Sequence, residues 1–346
     1  MNNQSELNLP LLSIIAIGRN EESNIVKLAR SISHLERTVS FNIQTIFVDS
    51  ASTDNTCKTA LGLFDEVYVL EESPWLCAAS GRALGTIKAR GKWILYLDGD
   101  MELCSEFVGT LEQLIAKDED VSGYIGCYIY VFPDGKTILN SFRCIRNGEM
   151  APAIGGASIL RRAEVLKAGN WNPSVFSGEE MELYSRLRAG QRSIRFVNVP
   201  FVLHHTDKYD PLQYLLRLLH PSFGLGKQWY GMGQILAARI RNRNLFSYIK
   251  LEPYLFACWS GIAISMVCGL AGSWPLGVSI AASTFALIFA TRGWKLLVIH
   301  IIKLLPALVG WIKYNPQYAP KVISAFSRKE PKLFRTGTRN AETPVC

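Results

Sequence analysis

Three things are missing from this 346-residue sequence, and each absence narrows its reading. There is no CxxC pair. The eight cysteines (Cys57, Cys77, Cys104, Cys127, Cys144, Cys258, Cys268 and Cys346) are scattered and do not cluster with the five histidines. That excludes a zinc-finger type of site and argues against a disulfide framework in so long a chain; free thiols suit a reducing cytosol. Residues 1–10 are polar and lack a basic flank followed by an apolar core, so no secretory signal is expected and the first domain should stay cytosolic. Charge is absent from residues 254–272 and again from 273–291. A bilayer-spanning helix needs about 20 mostly apolar residues, and each stretch comes close.

What is present fits around those gaps. Hydrophobic residues make up 49% of the chain, an ordinary share, but they crowd after Tyr254. The net charge is +8, and many of the basic residues flank the uncharged block, at 239–250 and beyond 292. That placement favours anionic lipid head groups over nucleic acid. With basic residues on both outer flanks and none in the turn at Trp274-Pro275, the two spans form a hairpin with both ends on the cytoplasmic side. Residues 294–311 are apolar but interrupted by Lys295, His300, Lys303 and Pro306, which favours an interfacial helix over a third span.

The first hundred residues alternate short apolar runs with helical spacing. Strands are predicted at 12–17, 45–48, 66–70 and 93–97. A helix carries Ile25, Leu28, Ala29, Ile32 and Leu35 on one face, and a second covers 81–89. Asn20 is a candidate cap for the first of these helices. This alternation implies a parallel sheet with helices on both faces, where ligands bind at the carboxyl ends of the strands. A hairpin follows around Pro133-Asp134-Gly135, then helices near 162–167 and 177–188, and a strand at 194–203 that ends at His204-His205. An amphipathic, basic and aromatic stretch over 210–243 suits a membrane interface.

The acids fall at those strand ends. Asp98-Gly99-Asp100 closes the strand Trp93-Ile94-Leu95-Tyr96-Leu97. Two carboxylates so close stay ionised when a divalent cation lies beside them, and Mg²⁺ or Mn²⁺ held there would offset the charge building on a departing diphosphate. Asp49 closes another strand and Glu21 follows the first; either could accept a hydrogen bond from a base N–H or a ribose hydroxyl. Asp54 reads better as a cap. Arg82 lies where it could meet phosphate or simply be solvated. Glu179 and Glu180 open a helix, where acids complement the dipole, yet one could serve as general base toward an acceptor hydroxyl. His204 or His205 could add a metal ligand or a phosphate contact.

In this order, Ile17-Gly18-Arg19-Asn20-Glu21, Val48-Asp49-Ser50-Ala51-Ser52-Thr53-Asp54, Leu97-Asp98-Gly99-Asp100, Gly155-Gly156 and Gly178-Glu179-Glu180 resemble the family 2 glycosyltransferases over residues 11–209. The resemblance implies a glycosyltransferase A-type α/β domain and an inverting displacement needing one base and no enzyme nucleophile. It implies nucleotide contacts from Glu21, Asp49, Arg82 and Asp98 and a metal held by Asp98, with Asp100 as the main ligand; the strand-end positions themselves add Asn20 as a candidate nucleotide contact and His204 as a candidate further metal ligand. Glu180 falls where the family usually has the Asp of a Glu-Asp pair, the presumed base, and Glu179 is the neighbour that competes for the role. The donor would be a nucleoside-diphosphate sugar, a UDP-sugar by default.

Four positions depart from the family: Ser50 stands for a second Asp, Ala51 for Gly, Ala83 for Asn, and Glu180 for Asp. The QxxRW motif of processive synthases is absent after Arg188, which argues for transfer of a single sugar. The reading divides the chain into a polar tail (1–10), a catalytic domain (11–209), interfacial helices (210–250), a transmembrane hairpin (251–292), an interfacial or third membrane helix (293–320) and a basic tail (321–346). The expected protein sits in a bacterial-type cytoplasmic membrane with its catalytic domain and tail in the cytoplasm. It would transfer sugar to a lipid-linked or glycan acceptor without nucleic acid, its oligomeric state left open. The rivals are a polyprenyl-phosphate glycosyl synthase and a membrane nucleotidyltransferase. The latter usually needs a Gly-rich basic loop after the first strand, which Gly18-Arg19-Asn20-Glu21 is not.

Overall fold

The computed structural model describes residues 10–116, 121–140, 145–191, 193–206, 225–242, 245–251, 253–292, 301, 304 and 307–327. They form β1 (Leu12–Gly18), α1 (Ile25–Thr38), β2 (Ile43–Asp49), α2 (Thr56–Leu61), β3 (Glu66–Leu70), α3 (Ala78–Lys88), β4 (Trp93–Asp98) and β5 (Met101–Leu103). After these come α4 (Ser105–Ala116), β6 (Gly123–Val131), β7 (Thr137–Asn140), β8 (Ser158–Arg161), α5 (Arg162–Lys167), α6 (Glu179–Ala189) and β9 (Ile194–His205). The chain finishes with α7 (Leu225–Arg241), α8 (Leu245–Leu251), α9 (Pro253–Leu270), α10 (Trp274–Arg292) and β10 (Val322–Ser327).

The ten strands make one sheet in the order β10-β3-β2-β1-β4-β8-β6-β9-β5, with β7 paired to β6. The expected parallel part is there: β1 pairs in parallel with β2 and β4, and β2 with β3. These strands are buried on both faces, which is why they read as continuous apolar runs rather than alternating ones. The rest is mixed. β8 runs antiparallel to β4 and β6, β5 antiparallel to β9, and β6 parallel to β9. The fold is thus the α/β class foreseen, with a mixed sheet.

Helix α1 buries the predicted stripe of Ile25, Leu28, Ala29, Ile32 and Leu35. Helix α3 lies close on β1 because Gly85 faces Ile15 and Gly81 faces Ile17, where a Cβ on Gly81 would come within 2.9 Å of Ile17 Cγ2. That approach brings Arg82, in the first turn and a half of α3, to the carboxyl end of β4.

Two readings are corrected. The segment 322–327, expected within a basic tail, is a strand that pairs antiparallel with β3 at the sheet edge, with Lys321 bound to Glu71 at 3.2 Å. Cys104 is disulfide-bonded, whereas Cys57, Cys77, Cys127, Cys258 and Cys268 are not, as expected.

The chain divides into two compact units, one of Met1–Pro173, Glu179–Tyr214 and Tyr318–Cys346, the other of Ser174–Gly178 and Leu215–Gln317. In the second unit, the backbone of Phe176 donates to Gln234 at 2.7 Å. Helices α9 and α10 pack on each other through small residues, Gly261 against Thr284. Both are long and apolar enough to cross a membrane. They are mostly exposed, with Leu270 90% accessible and Val278, Leu287 and Phe289 open as well, unlike the helices of a buried core. Part of the interfacial stretch expected over 210–250 is helical, as α7 and α8; residues 207–224 and 293–300 lie outside the described residues.

Candidate active site

The loops after β1 and β2 are stitched together by backbone-to-side-chain hydrogen bonds. Asn20 N–H donates to Ser52 Oγ at 2.9 Å, Thr53 N–H to Asn20 Oδ1 at 2.8 Å, and Glu21 N–H to Thr56 Oγ1 at 2.7 Å. Asn20 does not cap α1, since Asn24 holds the N-cap position; its side chain instead joins the two loops. Both Asn20 (φ 59°) and Ala51 (φ 58°) adopt the left-handed conformation. This is the conformation in which a glycine at position 51 would cost nothing, and Ala51 carries about 1 kcal/mol of strain in its place. Asp54 takes the N–H of Thr56 at 2.9 Å, although Asn55, not Asp54, holds the N-cap position of α2.

This stitching leaves Asp49 in an unusual position. It is 1% exposed; Oδ2 accepts the N–H of Ser52 at 2.9 Å, while Oδ1 is buried with no partner. A buried acceptor without a donor costs about 1–3 kcal/mol.

Glu21, Asp98 and Asp100 converge. Burial pushes the Glu21 carboxyl up; the hydrogen bond from Asn24 works against this, and the charges of Asp100, Asp98 and Asp54 add to it. Glu21, Asn24, Asp100, Phe132, His205 and Thr206 line a cleft of about 400 Å³. Asp100 Oδ2 lies 3.1 Å from His204 Nε2, and Asp100 Oδ1 is buried without a partner. Burial works to lower the proton affinity of His204, but the hydrogen bond and charge of Asp100, with the charges of Asp98 and Glu21, raise it overall. Among the described residues, no three His, Cys, Asp or Glu side chains are grouped as a metal cage. His204, the further ligand expected from the sequence, is thus placed directly beside Asp100. His205 pairs with Glu102 at 2.5 Å.

Arg82 departs most from expectation. It is 1% exposed rather than solvated; Nη2 binds Asp98 Oδ1 at 2.7 Å, and Nη1 binds Glu179 at 2.7 Å and Glu180 at 3.3 Å. Its guanidinium also sits 5.0 Å from the centre of the Trp171 ring. One cation thus gathers residues from α3, β4 and α6. With three acids on one base, the cluster relieves its excess charge at its most buried member: burial first, then the charge of Glu180, pushes Glu179 up to about 7. Glu180 is more open than Glu179, with its side chain 27% exposed against 8%.

The Gly155-Gly156 landmark acquires a reason here. A Cβ on Gly156 would land on Asp98 Oδ2 and lie 3.1 Å from Arg82 Nη2. Gly156→Ala should therefore displace Asp98. We expect transfer to fall at least tenfold while far-ultraviolet circular dichroism stays unchanged; wild-type rates in this variant would contradict the tight approach.

Sequence reasoning missed Trp171, Tyr128 and Tyr130. Tyr128 and Tyr130 show the period of two on β6, a readable signal; Trp171 lies in a loop that gives none.

A mixed α/β sheet with helices on both faces and acids gathered at the carboxyl ends of β1, β2 and β4 defines a sugar-nucleotide type of transferase fold. Residues 13–159 match the model of glycosyl transferase family 2, and this match supports a glycosyltransferase enzyme. Among solved structures it is similar to Staphylococcus aureus TarS 1–349, free and in complex with UDP-GlcNAc. Each of those matches has 14% identity and a TM-score of 0.52; the free form covers 87% of this chain and 88% of that one, the complex 87% and 89%. The mannosyltransferase PcManGT from Pyrobaculum calidifontis, in complex with GDP-Man and Mn²⁺, matches at 16% identity and a TM-score of 0.49, covering 88% and 87%. No curated protein matches the chain.

Proposed function

We propose that the chain transfers one sugar from a nucleoside-diphosphate sugar to a membrane-associated, lipid-linked or glycan acceptor, inverting the anomeric centre. The convergence of Glu21, Asp98 and Asp100 at the ends of β1 and β4 carries this reading. Asp49 Oδ1, a buried acceptor with no donor, suits the N–H of a nucleotide base. TarS shares the fold and holds UDP-GlcNAc, so a UDP-sugar is the first donor to try.

A divalent cation suits the acids. Asp100 Oδ1 is unclaimed by any hydrogen bond, and Mg²⁺ is ordinarily held by one or two carboxylates plus substrate phosphates rather than by a full protein cage. Asp100 and Asp98 would hold it; bound there, it would offset the charge on the departing diphosphate. Arg82 holds Asp98 and both glutamates in place. Glu180, the more open acid, takes the proton from the attacking hydroxyl, and Glu179 beside it shares that proton load. Thermal shift of the full chain in detergent with Mn²⁺ and a panel of nucleoside diphosphates tests the donor half. Stabilisation by one of them is expected, and none at millimolar concentration would refute it.

Glu180→Gln should lower transfer to a hydroxyl acceptor by about 10²–10⁴-fold. An unchanged rate would favour a phosphate acceptor, already ionised and in no need of a base. Helices α9 and α10 would anchor the chain as a membrane hairpin, their exposed apolar surface covered by lipid. In this reading the catalytic domain faces the cytoplasm.

A further inference from the structure

Beyond the carboxylates, the same sheet carries an aromatic surface with no role assigned so far. Tyr128 and Tyr130 project from one face of β6. The register sets His204 beside Tyr130, with Ile138 opposite Tyr130 and Asn140 opposite Tyr128 on the antiparallel partner β7. The Tyr130 and His204 rings are 5.4 Å apart at 43°, and Tyr128 and Tyr130 are 6.5 Å apart and stacked. Both hydroxyls are pinned. Tyr130 accepts from Asn140 Nδ2 at 3.3 Å, while Tyr128 accepts from Ala157 N–H at 2.7 Å and donates to Ala157 O at 3.0 Å. The rings are thereby held in fixed planes.

The surface is not interior packing. Tyr130 and His204 are partly exposed and Ile138 is 56% exposed. It also runs directly into the candidate site. His204 is one hydrogen bond from Asp100, and Tyr128 feels the charges of Asp98 and Glu180. Whatever lies on these rings therefore lies next to the acids proposed to handle the donor and the acceptor hydroxyl.

Such a surface matches the chemistry of a pyranose. One face of a sugar ring presents C–H groups with partial positive charge, which pack on the electron-rich face of an aromatic ring. A bare phosphate has no such face. We propose that Tyr130, set against His204, is a stacking platform for the ring of a glycoside acceptor, so that the acceptor is itself a sugar-bearing molecule. This rests on the transferase reading above and narrows its acceptor from "lipid-linked or glycan" to one that presents a pyranose at the site.

The test uses the full chain in deuterated detergent with Mn²⁺ and a nucleoside diphosphate (UDP, GDP, CDP or dTDP). Saturation-transfer NMR is run with methyl glycosides of glucose, galactose, mannose and N-acetylglucosamine as probes. At least one glycoside should receive saturation on its ring C–H protons. Its affinity should fall about tenfold in Tyr130→Ala and stay within about twofold in Tyr130→Phe, which keeps the ring. Nucleotide binding should be the same in all three proteins. Nucleotide binding with no glycoside contact in the wild type, or equal glycoside affinity in Tyr130→Ala, would overturn this inference alone. Failure of every nucleotide to bind the wild type would instead overturn the donor reading beneath it.

Discussion

Asp100→Asn is expected to cut sugar transfer by about 100–1,000-fold, the loss typical when one group stabilising a developing negative charge is removed. The substitution keeps the size of the side chain but removes the charge that would hold a cation at the unclaimed oxygen. It also removes the anion that His204 leans on at 3.1 Å, so the ring should become easier to deprotonate. Chelation of the wild-type protein should reproduce the kinetic loss, and adding Mn²⁺ back should restore the wild type but not the variant. Rates compared in membranes with and without chelator decide the matter. Full activity in chelator together with full activity in Asp100→Asn would leave the proposed metal without a role.

The second large effect concerns Arg82. Replacing it by Met keeps the length and apolar bulk but strands Glu179 in a place where its side chain is 8% exposed, and frees Asp98 from its anchor. Breaking a buried ion pair from one side costs about 3–5 kcal/mol. Thermal unfolding of the full chain in detergent should show a correspondingly large drop, with activity lost. Arg82→Lys should fall between the two, because an ammonium cannot fork to acids on opposite sides as a guanidinium does. The cost should shrink when Glu179→Gln is added, since the amide needs no counter-charge. Additive losses in that double mutant would mean that Arg82 and Glu179 are not coupled.

The same cluster sets a pH response. The carboxyl of Glu179 binds its proton more tightly in the folded chain, at about 7, than its ordinary 4.5. Its contribution to stability is therefore complete below about 4.5 and is lost as the pH rises through about 7. Glu179→Gln should remove that part of the slope of stability against pH.

Much of the site could be read from the chain because local pattern and position coincide there. A buried strand such as Trp93–Asp98 declares itself by an unbroken apolar run, which puts the Asp-Gly-Asp that ends it at the carboxyl edge of the parallel strands. The α1 stripe was legible for the same reason. Arg82 was not. Its partners lie 16, 97 and 98 residues away, and nothing within a window around α3 says whether an arginine in the first turns points to solvent or into a ring of acids. The antiparallel insertions β5 and β8 were hidden by their brevity, three and four residues long, too short for periodicity to show. Strand β10 was masked by its neighbourhood. Val322-Ile323-Ser324-Ala325-Phe326-Ser327 is a plausible strand by composition, but it sits in a stretch whose basic residues suggested a surface tail.

That last strand bears on how the chain is made. The outer edge of β3 receives its partner only from residues synthesised after α9 and α10, so the catalytic sheet is unfinished until the apolar hairpin has left the ribosome. A nascent chain, or one cut short before residue 318, would present β3 as a bare row of amides and carbonyls ready to pair with any passing strand. Synthesis of the two apolar helices and closure of the sheet are in this way ordered in time by the sequence itself, and the edge of the sheet is the last part to be completed.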